Sequence, residues 1–344
     1  MNNSNTRITV VFPSNRYHCI KEILEKCIFP YIGRLFIFEI HDSSEDCQME
    51  KFILNHAPKQ TSIRYFKYPS DITADDKAIR ALSQIKTDYS WLMGDGNLVD
   101  FNKIEEVLIK EQFEEYVVID MESIVRIGHM GQDKECQSEH IYKYTNIPIF
   151  AMKYFSHLTY WGAPLVKMTY YHKVYKNGVL KKYRDKRSPW WIACTLFDQL
   201  ASSVIENEKI CVGVVYTKFI KSNIQKKDHW WSEDERYYDY TFRKFNLGIY
   251  LLPPFYSENV KKNIIKNFRK DALVSDFYLI HLRAIDNLQL KMLQEYKNDI
   301  AIIPKYYEKM YLYHLLPRSI AQILDFIKEW VKPLYFKIKR GELL

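Results

Sequence analysis

An apolar segment of this chain ends on a carboxylate and an amide, two side chains that are costly to bury without partners. Residues 91–93 (Trp-Leu-Met) lead into Gly94, and Asp95 and Asn97 follow. Oxygen ligands of this kind suit a hard divalent cation, which in turn binds phosphate groups. The alternative is a polar turn in which Asn97 or Asp100 caps the next helix. These oxygens therefore belong either to a ligand site or to a capped turn.

Two other apolar segments also end on polar residues. The segment 7–13 (RITVVFP) is followed by Ser-Asn-Arg at 14–16, and 34–40 (RLFIFEI) is followed closely by Asp-Ser-Ser at 42–44. If these segments are neighbouring parallel strands, their carboxyl ends share one edge of the sheet, which is where ligands bind in such folds. We expect the three polar ends to meet there.

The first 120 residues alternate between short apolar segments and segments with helical spacing. This alternation predicts an α/β fold with a mostly parallel sheet covered by helices on both faces. We predict strands over 7–13, 34–40, 62–68, 89–93 and 115–120, and helices over 17–28, 45–56 and 74–86.

The remainder of the chain has a different pattern. Asn177-Gly178 predicts the turn of a β-hairpin over 168–183. Residues 188–205 predict a helix that Ser188 caps, and a strand follows at 210–216. Beyond about residue 260 the spacing predicts a wholly helical region.

Composition limits the class of protein. The 344 residues are 47% hydrophobic and 27% charged, which indicates a globular chain of about two domains. The six cysteines form no CxxC pair, so zinc ribbons and thioredoxin-type motifs are disfavoured. We see no signal peptide and no apolar run long enough to span a membrane, and we expect a cytoplasmic protein. The net charge of +8 favours anionic partners such as nucleotides or lipid head groups.

The order of the polar motifs resembles that of GT-A-fold glycosyltransferases of the family 2 type, which build bacterial surface polysaccharides. VVFPSNR, HDSSED and WLMGDGN stand where that family has Pro-Thr-x-Asn-Arg, Asp-x-Ser-x-Asp and Asp-x-Asp motifs at successive strand ends. The resemblance covers roughly residues 7–120. Neither GxGxxG nor GxxxxGK[ST] occurs, which disfavours Rossmann dehydrogenases and P-loop enzymes. A nucleotidyltransferase would need a glycine-rich loop with Lys or Arg after the first strand, where residues 13–18 supply Arg16 but no glycine.

The resemblance implies that the strand ends bind a nucleotide-diphospho-sugar. The first strand end would border the nucleotide, the second would contact the base or ribose, and basic residues of the third helix would lie near the diphosphate. The residues so implied are Pro13, Ser14, Arg16, Asp42, Lys77, Arg80 and Asp95.

The resemblance also implies a metal site. Asp95 and Asn97 would hold the ribose and a divalent Mn²⁺ or Mg²⁺ that neutralises charge on the leaving nucleoside diphosphate. The family has Asp at the last position of this motif, where this chain has Asn97. An amide is a poorer ligand than a carboxylate, so we expect weak metal binding or its replacement by basic groups.

Inverting members of the family use one carboxylate as a general base that takes the proton from the acceptor hydroxyl. It lies roughly ninety residues after the Asp-x-Asp motif, often in a Glu-Asp pair near a helix start. Here Asp185 and Asp198 are preferred, and Asp234, which follows Glu233, is second because it comes late. The structural alternatives are a solvated helix face for Asp198 and a helix N-terminus for Glu233-Asp234.

Two other segments contain residue types that could bind a ligand. His129, Asp133, Cys136 and His140 fit no standard zinc spacing. The basic and aromatic segment 167–187 is either a grip for a phosphate-bearing acceptor or a solvated hairpin. We expect no nucleic acid partner, because no RNP-type motif occurs.

The C-terminal tail, 326–344, alternates aromatic with basic residues. This pattern favours binding to an anionic membrane, which would place the protein at the inner face of the plasma membrane; a packed terminal helix is the alternative.

These observations predict three regions. Residues 1–120 would bind the nucleotide-sugar, 121–260 would complete the GT-A domain on the acceptor side, and 261–344 would form a helical region that associates with the membrane. The predicted activity is inverting sugar transfer to a glycan or lipid-linked glycan, as in capsule synthesis. The alternative is a non-catalytic anion-binding or scaffold protein of a glycan assembly complex.

Overall fold

The computed structural model describes residues 7–59, 61–122, 140–184, 188, 190–217, 219–222, 234–268 and 274–327. These residues form a mixed β-sheet with helices on both faces, followed by a cluster of short helices. No helix within the described ranges is long and apolar enough to span a membrane. The predicted α/β class, with a C-terminal helical region, is confirmed.

The strands follow the predicted alternation closely in the first third of the chain. Their bounds are β1 Ile8–Ser14, β2 Phe36–Asp42, β3 Ile63–Lys67, β4 Tyr89–Leu92, β5 Asn97–Val99, β6 Val118–Glu122, β7 Ile141–Tyr144, β8 Pro164–Lys167, β9 Val212–Tyr216 and β10 Ile220–Ser222.

The main sheet has the strand order β3-β2-β1-β4-β8-β6-β9-β7, and β5 pairs separately with β10. Strands β1 to β4 are mutually parallel, whereas β7 and β8 run antiparallel to their neighbours. Since β1 lies between β2 and β4, the carboxyl ends of these three strands lie side by side.

The helices lie mainly between the strands and after the last one. They are α1 Tyr17–Ile23 with a π-helical continuation Leu24–Ile28, α2 Gln48–His56, α3 Ala74–Gln84, α4 Phe101–Lys110, α5 Ile147–Leu158, α6 Met168–Lys176, α7 Val179–Arg184, α8 Trp191–Ile205, α9 Asp234–Tyr238 with a π-helical continuation Asp239–Lys244, α10 Phe245–Tyr250, α11 Glu258–Phe268, α12 Asp276–Ala284, α13 Leu290–Glu295, α14 Lys297–Ile300 and α15 Pro304–Leu315.

Strand β1 shows why the sheet is covered on both faces. Val10 and Phe12 point into a core shared with α1, α2 and α4, whereas Val11 points into a core shared with α3, α5 and α8. Successive residues of a strand face opposite sides of the sheet, so a strand with apolar residues at consecutive positions needs apolar partners on both faces. All seven residues of β1 are buried accordingly.

A third core belongs to the C-terminal helices and draws residues from both sides of position 260. Tyr237, Tyr238 and Phe242 pack in it together with residues of α12 to α15. Helix α11, in contrast, contributes Ile264 and Ile265 to the core of the sheet. The predicted boundary at residue 260 therefore does not coincide with the limit between these cores.

The predicted hairpin over 168–183 is wrong, because the segment forms helices α6 and α7. Asn177-Gly178 is indeed a turn, but it ends a helix, and Gly178 has a φ of 70°. Met168, Tyr171 and Val174 recur at helical spacing and are buried on one face. That spacing outweighs the strand preference of the tyrosines.

The left-handed conformation of Gly178 can be tested in isolation. A Cβ added there meets no atom within 4 Å, so a substitution changes only the backbone preference. We expect Gly178→Ala to lower the free energy of unfolding by about 1 kcal/mol. Gly178→Asn should cost less, since Asn tolerates this conformation. Chemical denaturation measures both, and an Ala variant as stable as the wild type would contradict the helix-ending role.

Candidate functional site

The carboxyl ends of β1 and β4 are joined by a hydrogen-bonded cluster around Asp95. Ser14 Oγ donates to Asp95 Oδ2 at 2.6 Å, and Arg16 Nε donates to the same oxygen at 2.9 Å. Arg16 Nη2 donates to Asp95 Oδ1, so the guanidinium binds both carboxylate oxygens. Asp95 is only 9% exposed, and this pairing offsets the cost of burying its charge.

Lys77 brings helix α3 to the same strand ends. Its side chain is buried, and Nζ donates to the Ser14 carbonyl oxygen at 2.8 Å and to Ser43 Oγ at 2.7 Å. Burial lowers the pKa of Lys77 to about 8, although attraction to Asp42 and Asp95 opposes this. The polar ends of β1, β2 and β4 therefore meet, as the sequence predicts.

A cavity of about 1040 Å³ opens at this edge. It is large enough for a nucleotide-sized ligand together with a second small molecule. Of the residues implied by sequence, the cavity is lined by Pro13, Ser14, Arg16, Lys77, Asp95 and Asn97.

Asp42 is the last residue of β2 and lies outside the cavity lining. Its carboxylate accepts hydrogen bonds from Lys67 Nζ at 2.8 Å, Tyr65 Oη at 2.7 Å and both the amide and hydroxyl of Ser44. Burial opposes ionisation, but these hydrogen bonds outweigh it and lower the pKa of Asp42. The structure gives Asp42 a role in the turn, and its contact with the base or ribose stays a prediction.

The other residues proposed from sequence are not brought to the cavity wall. Arg80 is exposed on α3, one turn beyond Lys77, and outside the lining. Asp198 lies within α8, also outside the lining, and its carboxylate accepts from Lys182 Nζ at 2.6 Å and Tyr183 Oη at 2.8 Å. Asp185 and the side chain of Asp234 lie outside the described residues.

The cavity also has residues that sequence reasoning missed. Trp191 Nε1 donates to Asp75 Oδ1 at 3.0 Å, and burial raises the pKa of Asp75. Arg184 pairs with Asp76 at 2.7 Å. The remaining lining is rich in aromatic rings, which include Tyr160, Trp161, Trp190, Tyr240 and Phe268. Asp75 and Asp76 fall within the helix predicted over 74–86, and no spacing in the sequence connects them to the tryptophans.

The residues at this edge do not fit a divalent cation. Both oxygens of Asp95 accept hydrogen bonds from Arg16. The amide nitrogen of Asn97 faces the Trp161 carbonyl oxygen at 3.4 Å and Met93 Sδ at 3.5 Å. Across the described residues, no three His, Cys, Asp or Glu side chains form a cluster that could hold a metal ion. The arginine thus occupies the position in which a metal would neutralise Asp95.

His140, one of the zinc candidates, and the capping residue Asp100 have partners of their own. Of the zinc candidates, His140 contacts Glu111 at 2.6 Å, and the other three lie outside the described residues. Asp100 caps α4 by accepting from the Lys103 amide, as the capped-turn alternative required. Capping by Asp100 is compatible with a ligand site at Asp95, because the two carboxylates have separate partners.

Comparison with known proteins finds similar structures but no relative by sequence. No family model and no curated protein matches the chain. The crystal structure of residues 1–349 of TarS from S. aureus is similar, with a TM-score of 0.53 and 11% identity over 98% of this chain and 92% of that one. The fold is that of the GT-A glycosyltransferases. This confirms the resemblance on which the site residues were chosen.

Two further GT-A structures are similar. The same TarS segment in complex with UDP-GlcNAc has a TM-score of 0.53 and 12% identity over 98% of this chain and 92% of that one. The mannosyltransferase PcManGT from Pyrobaculum calidifontis, in complex with GDP-Man and Mn²⁺, has a TM-score of 0.48 and 11% identity over 94% and 88%. At these identities the similarity shows the fold alone.

The pairing of Asp95 with Arg16 makes a prediction about metal binding. We expect millimolar Mn²⁺ to leave the unfolding temperature of the wild type unchanged. Arg16→Met removes the cation from both oxygens of Asp95 and keeps the neutral donor Ser14 Oγ, so Mn²⁺ should stabilise that variant, whereas Arg16→Lys, which keeps the cation, should behave like the wild type. Equal stabilisation of all three proteins by Mn²⁺ in thermal unfolding would show that Arg16 does not stand in for a metal.

Proposed function

We propose that this chain is a glycosyltransferase that moves a sugar from a nucleotide-diphospho-sugar to a glycan or lipid-linked glycan, by single displacement with inversion. One observation carries the proposal. In a GT-A fold, Ser14, Arg16, Lys77 and Asp95 meet at the carboxyl edge of parallel strands and line one cavity. This edge is where ligands bind in open α/β sheets.

The charges at the edge suit a diphosphate. Arg16 and Lys77 supply two cations within a partly enclosed cavity, where charge interactions are stronger than in water. In sugar transfer, negative charge develops on the leaving nucleoside diphosphate, and fixed cations stabilise it. Arg16 can exchange between Asp95 and a phosphate oxygen, which leaves Asp95 to accept from a ribose hydroxyl. These residues would then share the task that a metal performs in other transferases.

The aromatic part of the cavity suits a sugar acceptor. Trp161, Trp190 and Tyr240 present apolar ring surfaces next to the charged edge. Tryptophan and tyrosine pack on apolar faces and donate a hydrogen bond from the ring edge, which matches the amphipathic surface of a sugar. This arrangement supports a glycan acceptor, such as a growing capsule or other surface polysaccharide.

The place of the protein in the cell is part of the proposal. A lipid-linked acceptor would hold the enzyme at the cytoplasmic face of the membrane, and the basic and aromatic tail would add attraction to anionic lipid. Most of that tail, 328–344, lies outside the described residues.

The donor site can be tested with one substitution that removes a charge but keeps the side-chain shape, and with a matched control. UDP-GlcNAc is the first donor to try, since a structurally similar protein is known in complex with it. Other UDP-, GDP- and dTDP-sugars complete the panel. Asp95→Asn leaves Arg16 without its anionic partner and weakens the ribose contact, so we expect nucleoside diphosphate affinity to fall roughly tenfold or more. Calorimetric titration with UDP or GDP measures it.

Asp100→Asn is the control, because it makes the same chemical change five residues away and Asn also caps helices well. It should bind nucleotide like the wild type. Nucleotide affinity that is unchanged in a folded Asp95→Asn protein would contradict the donor site. Tight nucleotide binding by the wild type with no sugar transfer to any acceptor would favour the non-catalytic scaffold instead.

A further inference from the structure

Asp75 is a half-buried carboxylate on the wall of the cavity. It lies in the first turn of α3, two residues before Lys77, and the indole Nε1 of Trp191 donates to its Oδ1 at 3.0 Å. Burial raises the pKa of Asp75, while the hydrogen bond from Trp191 and the charge of Arg184 oppose the shift. A carboxylate with a raised pKa is a better proton acceptor than an ordinary surface carboxylate.

The start of helix α8 lies where the resemblance places the catalytic base, and Asp75 contacts it. The resemblance to inverting transferases implies a base near a helix start, roughly ninety residues after the Asp95 motif. Helix α8 begins at Trp191 in that interval, and Trp190 precedes it, so neither position carries an acid. Asp198 lies about two turns further on and is held by Lys182 and Tyr183. Trp191 instead brings Asp75 to this helix start.

The other carboxylates of the cavity have cationic partners. Among the described lining residues, Asp95 is paired with the guanidinium of Arg16 and Asp76 with that of Arg184. Asp75 is held by a neutral indole. The charged neighbours that act on it are Arg184, from α7, and Asp76, on its own helix.

We propose that Asp75 takes the proton from the acceptor hydroxyl and that Trp191 is its positioning residue, which rests on the proposed transferase function. The acceptor oxygen forms a bond to the anomeric carbon as its proton passes to Asp75. The bond from that carbon to the diphosphate oxygen breaks, and its electron pair leaves with the nucleoside diphosphate. The proton on Asp75 is then released to solvent, which restores the carboxylate.

The test compares Asp75→Asn with Asp71→Asn, the same change at an exposed position outside the cavity lining. The reaction is release of nucleoside diphosphate from the donor panel headed by UDP-GlcNAc, with water or added glycans as acceptor. We expect Asp75→Asn to lower kcat roughly a hundredfold or more, as loss of a general base does, while the Kd for UDP or GDP stays within about twofold. Asp71→Asn should match the wild type.

The substitution Trp191→Phe tests the positioning role through the pH dependence of kcat/KM, which would not change if Trp191 only supported the fold. Without the indole hydrogen bond, the carboxylate of Asp75 is less stabilised, so its pKa rises further. The acid limb of the kcat/KM profile should therefore move to higher pH in Trp191→Phe and be lost in Asp75→Asn. This variant also keeps the test open if Asp75→Asn fails to fold.

Each other outcome overturns the proposal. A folded Asp75→Asn protein with kcat within about threefold of the wild type shows that another group takes the proton. A tenfold weaker Kd for nucleotide in Asp75→Asn shows that Asp75 belongs to the donor site. A wild-type protein that binds nucleotide but releases none from any donor contradicts the transferase function itself. An unchanged acid limb in Trp191→Phe removes the positioning role.

Discussion

The ion pair between Arg16 and Asp95 sets the arrangement of the rest of the site. Asp95 follows a fully buried strand and is itself almost completely buried. Its negative charge is shielded from water and therefore needs a positively charged partner. Arg16 supplies that partner from the end of the neighbouring parallel strand, and Ser14 completes the set. The ion pair thereby holds the two strand ends together. An anionic ligand that binds here must either bind Arg16 alongside Asp95 or take the place of Asp95 as its partner.

Helix α3 connects this donor edge to the proposed acceptor side. Lys77 points to the ends of β1 and β2, and Asp75, two residues earlier, accepts from Trp191 at the start of α8. Nearly every residue of α8 is buried, so Trp191 is held by a packed helix and not by a loop. Groups that must meet a reacting atom benefit from such rigid support. One short helix therefore fixes the distance between Lys77, the cation proposed to bind the diphosphate, and the carboxylate of Asp75.

The parts of this structure that the sequence predicted are local in origin. Apolar runs with polar ends predicted strands β1, β2 and β4. The meeting of their ends follows because neighbouring parallel strands place their carboxyl ends at the same edge of the sheet. The hairpin over 168–183 failed, since the Asn-Gly turn signal is shared by hairpins and helix ends. Asp42 was predicted from a strand-end motif and Asp198 from its distance along the chain to Asp95. Their hydrogen-bond partners, which are Tyr65 and Lys67 for Asp42 and Lys182 and Tyr183 for Asp198, depend on tertiary packing that the sequence pattern does not show. Asp75 and Trp191 lie 116 residues apart, and no spacing rule connects them.

The most direct measurement is amide hydrogen exchange with and without UDP or GDP, read by mass spectrometry across the whole chain. A donor site at the Arg16–Asp95 edge predicts slower exchange on nucleotide binding in segments 13–16, 73–77 and 94–97, and no comparable change in helices α12 to α15. Protection confined to other segments, or no protection by any nucleoside diphosphate at saturating concentration, would contradict a nucleotide-sugar site at this edge of the sheet.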